Sequence, residues 1–271
     1  MPTTNGPIGV FDSGVGGLTV VKELRRQMPQ EDILYLGDTA RMPYGCKTIP
    51  EIIEFMHEIL TFMQQRGVKI AVFACNTMTA HGYHLAVGKY PFPLVGMDKG
   101  IAEALSRSTT KKVGVMATRA TIASGSHENA LKELSDEAEI YPTACPRFVP
   151  LIESGHTDDE LVEEAVREVA LPMQEAGVDA LVLGCTHYPY IAGAIGRVLG
   201  DGVALVDPAE ATAREAKRVL TENGLLKQDG IGKVELCFTA NLEKSEELAR
   251  LIMEDEHIVF KKVELPSCEK A

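Results

Sequence analysis

The chain alternates short apolar runs with longer amphipathic stretches, and these two periods set its predicted elements. Ile8-Gly-Val-Phe11 is a short apolar run that ends at Asp12-Ser13 and the glycine-rich turn Gly14-Val-Gly-Gly17. It predicts a buried strand, and the apolar spacing from Val20 to Gln27 predicts the helix that follows, stopped before Pro29. Ile33 to Gly37 is the next strand. A loop over 38–48 leads to a helix from Pro50 to Arg66, with Gly67 as its stop, and then to a strand running from Ile70 toward Cys75. Strands and helices of these lengths in alternation predict a doubly wound α/β sheet with parallel strands.

The same order then recurs, which points to an internal duplication. The run beginning at Val113 stands where Ile8 began, and Ile140 to Ala144 parallels Ile33 to Gly37. A loop carrying Pro146, Pro150 and Glu153 parallels the one carrying Pro43-Tyr44-Gly45, and a helix from Asp158 to Ala176 precedes a strand from Ala180 toward Cys185. The expected fold class is α/β, with two related doubly wound parallel-sheet domains facing each other across a cleft about a pseudo-twofold axis. Residues 1–97 plus 209–271 would form the first, discontinuous domain and 98–208 the second, with Gly96–Gly100 and Val206–Ala209 as the linkers. The last segment predicts a helix at Ala209–Asn223, a strand at Lys233–Thr239, a helix at Lys244–Glu254 and a strand at Ile258–Leu265, completing the first sheet.

Composition narrows the partners. A chain of 271 residues with a net charge of −12 disfavours nucleic acid and anionic membrane surfaces, so any bound anion needs local donors. No apolar run reaches the length of a membrane span and the N-terminus lacks signal-peptide features, so a cytoplasmic location is expected. The six cysteines, at 46, 75, 145, 185, 237 and 268, form no CxxC pair, and no close set of cysteines and histidines suggests zinc. Reduced thiols and no metal are expected. Cys46, Cys145, Cys237 and Cys268 read as ordinary core or surface residues, and Arg41 and Glu153 by their local pattern as solvated loop charges.

Cys75 and Cys185 differ from the other four. Each ends an apolar run and is followed by small polar side chains, Asn76-Thr77 and Thr186-His187. That pattern puts both thiols at the carboxyl ends of strands, where open α/β sheets bind ligands. A thiolate on one face of a carbon and a thiol on the other can invert a stereocentre by proton transfer. Asp12 is a candidate partner for Cys75 and His187 for Cys185, while helix amino termini after each cysteine would favour the thiolate. Asp12-Ser13 also suits turn formation and capping, and the two roles can coexist.

Taken in order, Asp12-Ser-Gly-x-Gly-Gly17, Arg41-x-Pro-Tyr-Gly45, Cys75-Asn-Thr77 and Gly184-Cys-Thr-His-Tyr-Pro189 resemble the glutamate racemases of the aspartate/glutamate racemase family, over nearly the whole chain. The resemblance implies interconversion of L- and D-glutamate for bacterial peptidoglycan, with no cofactor and no metal. It implies Cys75 and Cys185 as proton acceptor and donor, and Asp12, Ser13, Tyr44, Gly45, Asn76, Thr77, Thr186 and His187 as residues lining the substrate. Thr118, Thr121 and Glu153 are also placed near the cleft by it, and a homodimer is the expected assembly. Gly96-Met-Asp-Lys-Gly100, Met78 and Cys46-Lys47 depart from the family pattern without removing a catalytic group.

Other readings stay open on the sequence. A sister enzyme acting on aspartate would keep both thiols, a decarboxylase of the same superfamily typically keeps one, and a small-molecule binding protein needs neither. A redox pair between Cys75 and Cys185 would need Cα atoms within about 7 Å.

Overall fold

The computed structural model describes residues 2–253 and 258–266; the expected helix end at Glu254 and Cys268 lie outside them. In chain order the first elements are β1 (Ile8–Asp12), α1 (Leu18–Gln27), β2 (Ile33–Gly37), α2 (Ile49–Gln65), β3 (Ile70–Phe73), α3 (Asn76–Ala86) and β4 (Leu94–Val95). Next come α4 (Ile101–Arg107), β5 (Lys112–Ala117), α5 (Arg119–Ala123), α6 (Ser126–Leu134), β6 (Glu139–Ala144), α7 (Phe148–Glu153), α8 (Glu160–Ala176), β7 (Ala180–Gly184), α9 (Ala192–Leu199) and β8 (Ala204–Val206). The chain finishes with α10 (Ala209–Glu222), β9 (Val234–Phe238), α11 (Leu242–Ile252) and β10 (Ile258–Lys262). It divides into two compact units, one holding the residues up to Met97 and from Ala209 onward, the other Asp98–Pro208.

Each unit has its own parallel sheet. The first runs β10-β9-β2-β1-β3-β4 and the second β6-β5-β7-β8. The order β2-β1-β3-β4 is therefore repeated as β6-β5-β7-β8, so the duplication read from the sequence is a duplication of topology. The returning segment adds β9 beside β2 and β10 beside β9, as expected from its apolar pattern.

Strand alternation explains why both sheets need helices on both faces. Ile8, Val10, Ile33, Tyr35, Ile70 and Val72 enter one cluster with residues of α1 and α10, whereas Phe11, Leu34, Leu36, Ala71 and Phe73 enter another with residues of α2 and α3. In the second unit Val113, Val115 and Val182 pack with α4 and α6, and Leu181 and Leu183 with α7, α8 and α9. Period-two side chains that are apolar on both faces are the signature of a covered parallel sheet.

Local chemistry sets the helix ends. Thr48 and Glu51 form a reciprocal capping box at the start of α2, with Pro50 in its first turn, and Gly67 follows its end at φ +67°. Asp159 caps α8 by accepting from the Val162 N–H at 3.1 Å.

Two expectations are corrected. The segment carrying Pro150 and Glu153 is not a loop but the short helix α7, in whose first turn Pro150 loses no intrahelical bond because that N–H would be orphaned anyway. The chain after Cys185 does not enter a helix directly: a 3-10 turn at Tyr188–Ile191 intervenes before α9.

Candidate active site

Strand register places the two thiols at equivalent positions. Phe11 aligns with Phe73 and Ala117 with Gly184, so Cys75 lies one step beyond Asp12 on β1 and Cys185 one step beyond Ala117 on β5. Counted in register, Cys75 corresponds to Ser13 and Cys185 to Thr118, each one position past the last residue of β1 or β5. Both thiols are buried but not sealed, at 5% and 7% exposure. Both are reduced, as are Cys46, Cys145 and Cys237.

In the first unit the turn after β1 is organised by Asp12. Its carboxylate accepts from the Ser13 N–H and the Gly17 N–H, each at 2.7 Å. Gly17 is glycine because a Cβ there would come within 2.8 Å of the Asp12 Cβ and 2.9 Å of the Ala74 Cβ. Tyr35 closes the turn by donating to the Gly14 carbonyl at 2.7 Å. The turn role of Asp12 is thus realised, next to the strand that carries Cys75.

Cys75 is the N-cap residue of α3 in extended conformation, and its carbonyl accepts from the Thr79 N–H at 2.9 Å. Asn76 and Thr77 form the first turn of that helix and are buried. Asn76 Nδ2 has no hydrogen-bond partner among the described residues. A buried amide donor at a helix amino terminus is a ready partner for an anionic group.

Tyr44 and Gly45 lie in a 3-10 turn after the cis Met42–Pro43 bond. Tyr44 is fully buried and its hydroxyl donates to Asp38. Burial, then the carboxylate, pushes its ionisation far above the ordinary tyrosine range, and the thiol of Cys75 is among its electrostatic neighbours. Arg41 belongs to this network and is not the solvated charge expected: it pairs with Asp38 at 2.6 Å and with Glu58, and lies 4.0 Å over the Phe55 ring. Asp38, Arg41 and Glu58 are the residues that sequence reasoning missed. The signal was Asp38 ending the apolar run of β2, the counterpart of Asp12 ending β1.

In the second unit His187 is enclosed. Its Nδ1 lies 4.0 Å from the Cys185 Sγ and its Nε2 2.7 Å from the Glu153 Oε1. Burial alone would discharge the ring, but contacts to Cys185 and Glu153 outweigh it and hold His187 well above the ordinary histidine pKa. An imidazolium can donate from both nitrogens, toward the sulfur on one side and the carboxylate on the other. Glu153 is therefore a partner of His187, not a solvated charge. Thr118 caps α5 by accepting from the Thr121 N–H, and the two hydroxyls are 3.0 Å apart. Thr186 is buried between the thiol and the imidazole in sequence. Tyr188, also missed, donates to the Cys145 carbonyl at 3.2 Å; burial and then Cys185 and Cys145 push its ionisation up.

Among the described residues no group of three or more His, Cys, Asp or Glu could hold a metal ion, and no helix is long and apolar enough to cross a membrane.

Residues 8–216 match the Asp/Glu/Hydantoin racemase family. The glutamate racemase of Aquifex aeolicus is 42% identical over 92% of this chain and 94% of its own length. The crystal structure of glutamate racemase isoform RacE1 from Bacillus anthracis superposes with a TM-score of 0.91 at 34% identity, covering 97% of this chain and 99% of that one. That of the Francisella tularensis glutamate racemase in complex with D-glutamate gives 0.87 at 33% identity, over 96% and 98%. A match that takes in both sheets, both thiols and the loops after β1 and β2 leaves one conclusion: the chain belongs to the Asp/Glu/hydantoin racemase family.

Proposed function

We propose that this protein is a glutamate racemase that works by two-cysteine proton transfer without a cofactor. The observation that carries it is the equivalence of Cys75 and Cys185, each one register step past the central strand of sheets with the same order. In one direction a thiolate removes the Cα proton of glutamate, leaving the electron pair on Cα, and the other thiol returns a proton to the opposite face. The reverse direction exchanges their roles, and each turnover leaves the first thiol protonated and the second ionised.

His187, positively charged, stands with Nδ1 4.0 Å from the Cys185 Sγ and Nε2 2.7 Å from the Glu153 carboxylate, within reach of the thiol that would exchange the proton. Asp12, whose carboxylate is fixed by the turn it organises, stands on the Cys75 side. Asn76 and Thr77 with Ser13 and the backbone of Tyr44 and Gly45 would supply donors on one side of the substrate. Thr118, Thr121 and Thr186 would supply the other, beside His187, whose ring Glu153 holds in place. Backbone and side-chain donors of this kind hold carboxylates and the enolate-like charge that builds on the α-carboxylate. Relatives named glutamate racemase support glutamate over aspartate as substrate. A cytoplasmic homodimer supplying D-glutamate to peptidoglycan synthesis completes the proposal.

The test is racemisation in D2O of L- and D-glutamate, and separately L-aspartate, with no added cofactor, followed by circular dichroism and by NMR at Cα. Glutamate racemisation with deuterium uptake is expected, falling on the order of 10²- to 10⁴-fold in Cys75→Ser and in Cys185→Ser. Turnover of aspartate alone would move the substrate. Full activity in either variant would overturn the two-thiol mechanism.

A further inference from the structure

The loop from Asp38 to Gly45 leaves the carboxyl end of β2, and its Tyr44 packs in the same buried cluster as Cys75. What fixes that loop is a charge network whose parts are unusually deeply placed. The Asp38 side chain is fully buried, where an uncompensated carboxylate would cost several kcal/mol. Two hydroxyls reach it, Tyr44 on Oδ2 and Thr239 on Oδ1 at 2.8 Å, but neither carries charge. Arg41 supplies the charge, donating from Nε to the same Oδ2 that Tyr44 uses, at 2.6 Å.

The guanidinium is itself held on two further sides. Nη1 donates to Glu58 on α2, and the plane lies 4.0 Å over Phe55, whose ring is 5.4 Å from that of Tyr44. Nη2 is buried and has no partner among the described residues. Its side chain is only 24% exposed. Two arms in different directions plus a flat stacking face are properties of arginine that lysine lacks.

We infer that Arg41 is a positioning residue for the Cys75 half of the site, acting through Asp38 and Tyr44. With Arg41 in place Asp38 stays an acceptor, the Tyr44 hydroxyl stays a donor to it, and the phenol is neither free to ionise nor free to turn toward the thiol. Without it Asp38 is a buried carboxylate with no charged partner, and Tyr44 loses its anchor. Asp38, Arg41, Tyr44, Phe55, Glu58 and Thr239 all belong to the first unit, so the lesion is expected on the Cys75 side.

The inference rests on the proposed racemase reading, and its test keeps the two apart. Arg41→Met, Arg41→Lys and Glu58→Gln are compared with the parent protein in two ways. In the first, iodoacetamide alkylation of Cys75 and Cys185 is followed separately by peptide mass spectrometry as a function of pH, which needs no turnover. Arg41→Met is expected to displace the Cys75 profile by half a pH unit or more and leave Cys185 unmoved, with Arg41→Lys intermediate and Glu58→Gln, which keeps the Asp38 contact, smaller. In the second, primary deuterium isotope effects are measured with α-deuterated L- and D-glutamate. Arg41→Met is expected to lose at least tenfold in kcat with less than threefold change in KM, raising the isotope effect on one enantiomer and lowering it on the other. Equal displacement of both cysteine profiles, or no displacement, overturns the inference; so does a loss of kcat that follows thermal stability with both isotope effects unchanged. Absence of glutamate turnover in the parent protein would overturn the racemase reading alone, and the alkylation profiles would still decide the role of Arg41.

Discussion

A methyl group at Gly17 would meet Asp12 and Ala74 at contacts shorter than any real Cβ makes, and neither neighbour is the flexible end of a side chain. Gly17→Ala is therefore expected to destabilise by about 1–3 kcal/mol. It should also lower activity, because relief means moving Asp12 or the strand end that leads to Cys75. Gly193, inside α9, provides the contrast: a Cβ there meets only the Arg197 Nη1 at 3.6 Å. Gly193→Ala should stabilise by about 0.5–1 kcal/mol through helix propensity, with activity unchanged. Thermal melts and kcat/KM on both variants check the pair. Glu153 gives a residue-scale test of charge. It is one of two contacts that raise the His187 pKa against burial, so Glu153→Gln lets the imidazolium lose its proton at lower pH. The alkaline limb of the kcat/KM profile should move to lower pH, with a loss of about tenfold or more at the parent optimum. An unmoved limb would mean that the His187 proton plays no part in turnover.

At the scale of elements, α6 carries a liability that only tertiary structure shows. His127 sits in its first turn, buried, with Nε2 lacking a partner among the described residues and Nδ1 3.5 Å from the Ser126 Oγ. Burial, and then nearby Lys99, pushes its pKa down to about 4. The unfolded chain thus takes up this proton first, so folded stability is full above the ordinary histidine pKa and falls as pH drops toward 4. The loss approaches roughly 3 kcal/mol for a shift of this size, and His127→Phe should remove that slope from urea midpoints taken between pH 7 and 4.5. The sequence could not announce this, because a histidine in an amphipathic run looks the same whether its ring is wet or dry. What was legible at this scale was periodicity. Ile33–Gly37 was readable to the residue because both faces of that strand are apolar and turn residues bound it, and the starts and stops of α2, α8 and α10 fell within two residues of their caps. The two-residue β4 and the three-residue β8 are too short to have a period, and α7 was hidden behind Pro150, whose place in a first turn is decided by packing. Cys75, Cys185, Asn76 and His187 stand out in the sequence by their position after apolar runs. Arg41 and Glu58 do not, because Arg41 meets Asp38 only through the turn after β2, 3 positions away, and Glu58 meets Arg41 only through the fold, 17 positions away.

The molecule as a whole repeats one sheet order, yet the first unit is made from two stretches of chain separated by the entire second unit. A buried ion pair stitches those stretches together. Lys69, just before β3, and Glu31, just before β2, are both fully buried with 2.5 Å between Nζ and Oε2. Each also reaches the returning segment: the ammonium donates to the Leu225 carbonyl at 2.9 Å, and Glu31 accepts from the Lys227 N–H at 2.7 Å. A further bond from Lys69 to the Thr4 carbonyl at 2.9 Å ties down the amino terminus. Three parts of the chain remote in sequence thus converge on one pair of charges. Removing one charge leaves the other buried and unpaired, so Lys69→Met is expected to cost about 3–5 kcal/mol, whereas Lys69→Met with Glu31→Leu should recover much of the loss. Urea unfolding of the single and double variants measures both numbers. Hydrogen exchange locates the effect: protection should fall across β1, β2, β3 and β9 in the single variant while β5 and β7 keep theirs. Equal loss in both sheets would mean that the two units unfold as one cooperative body, and that the pair stabilises the whole chain instead of closing the first unit.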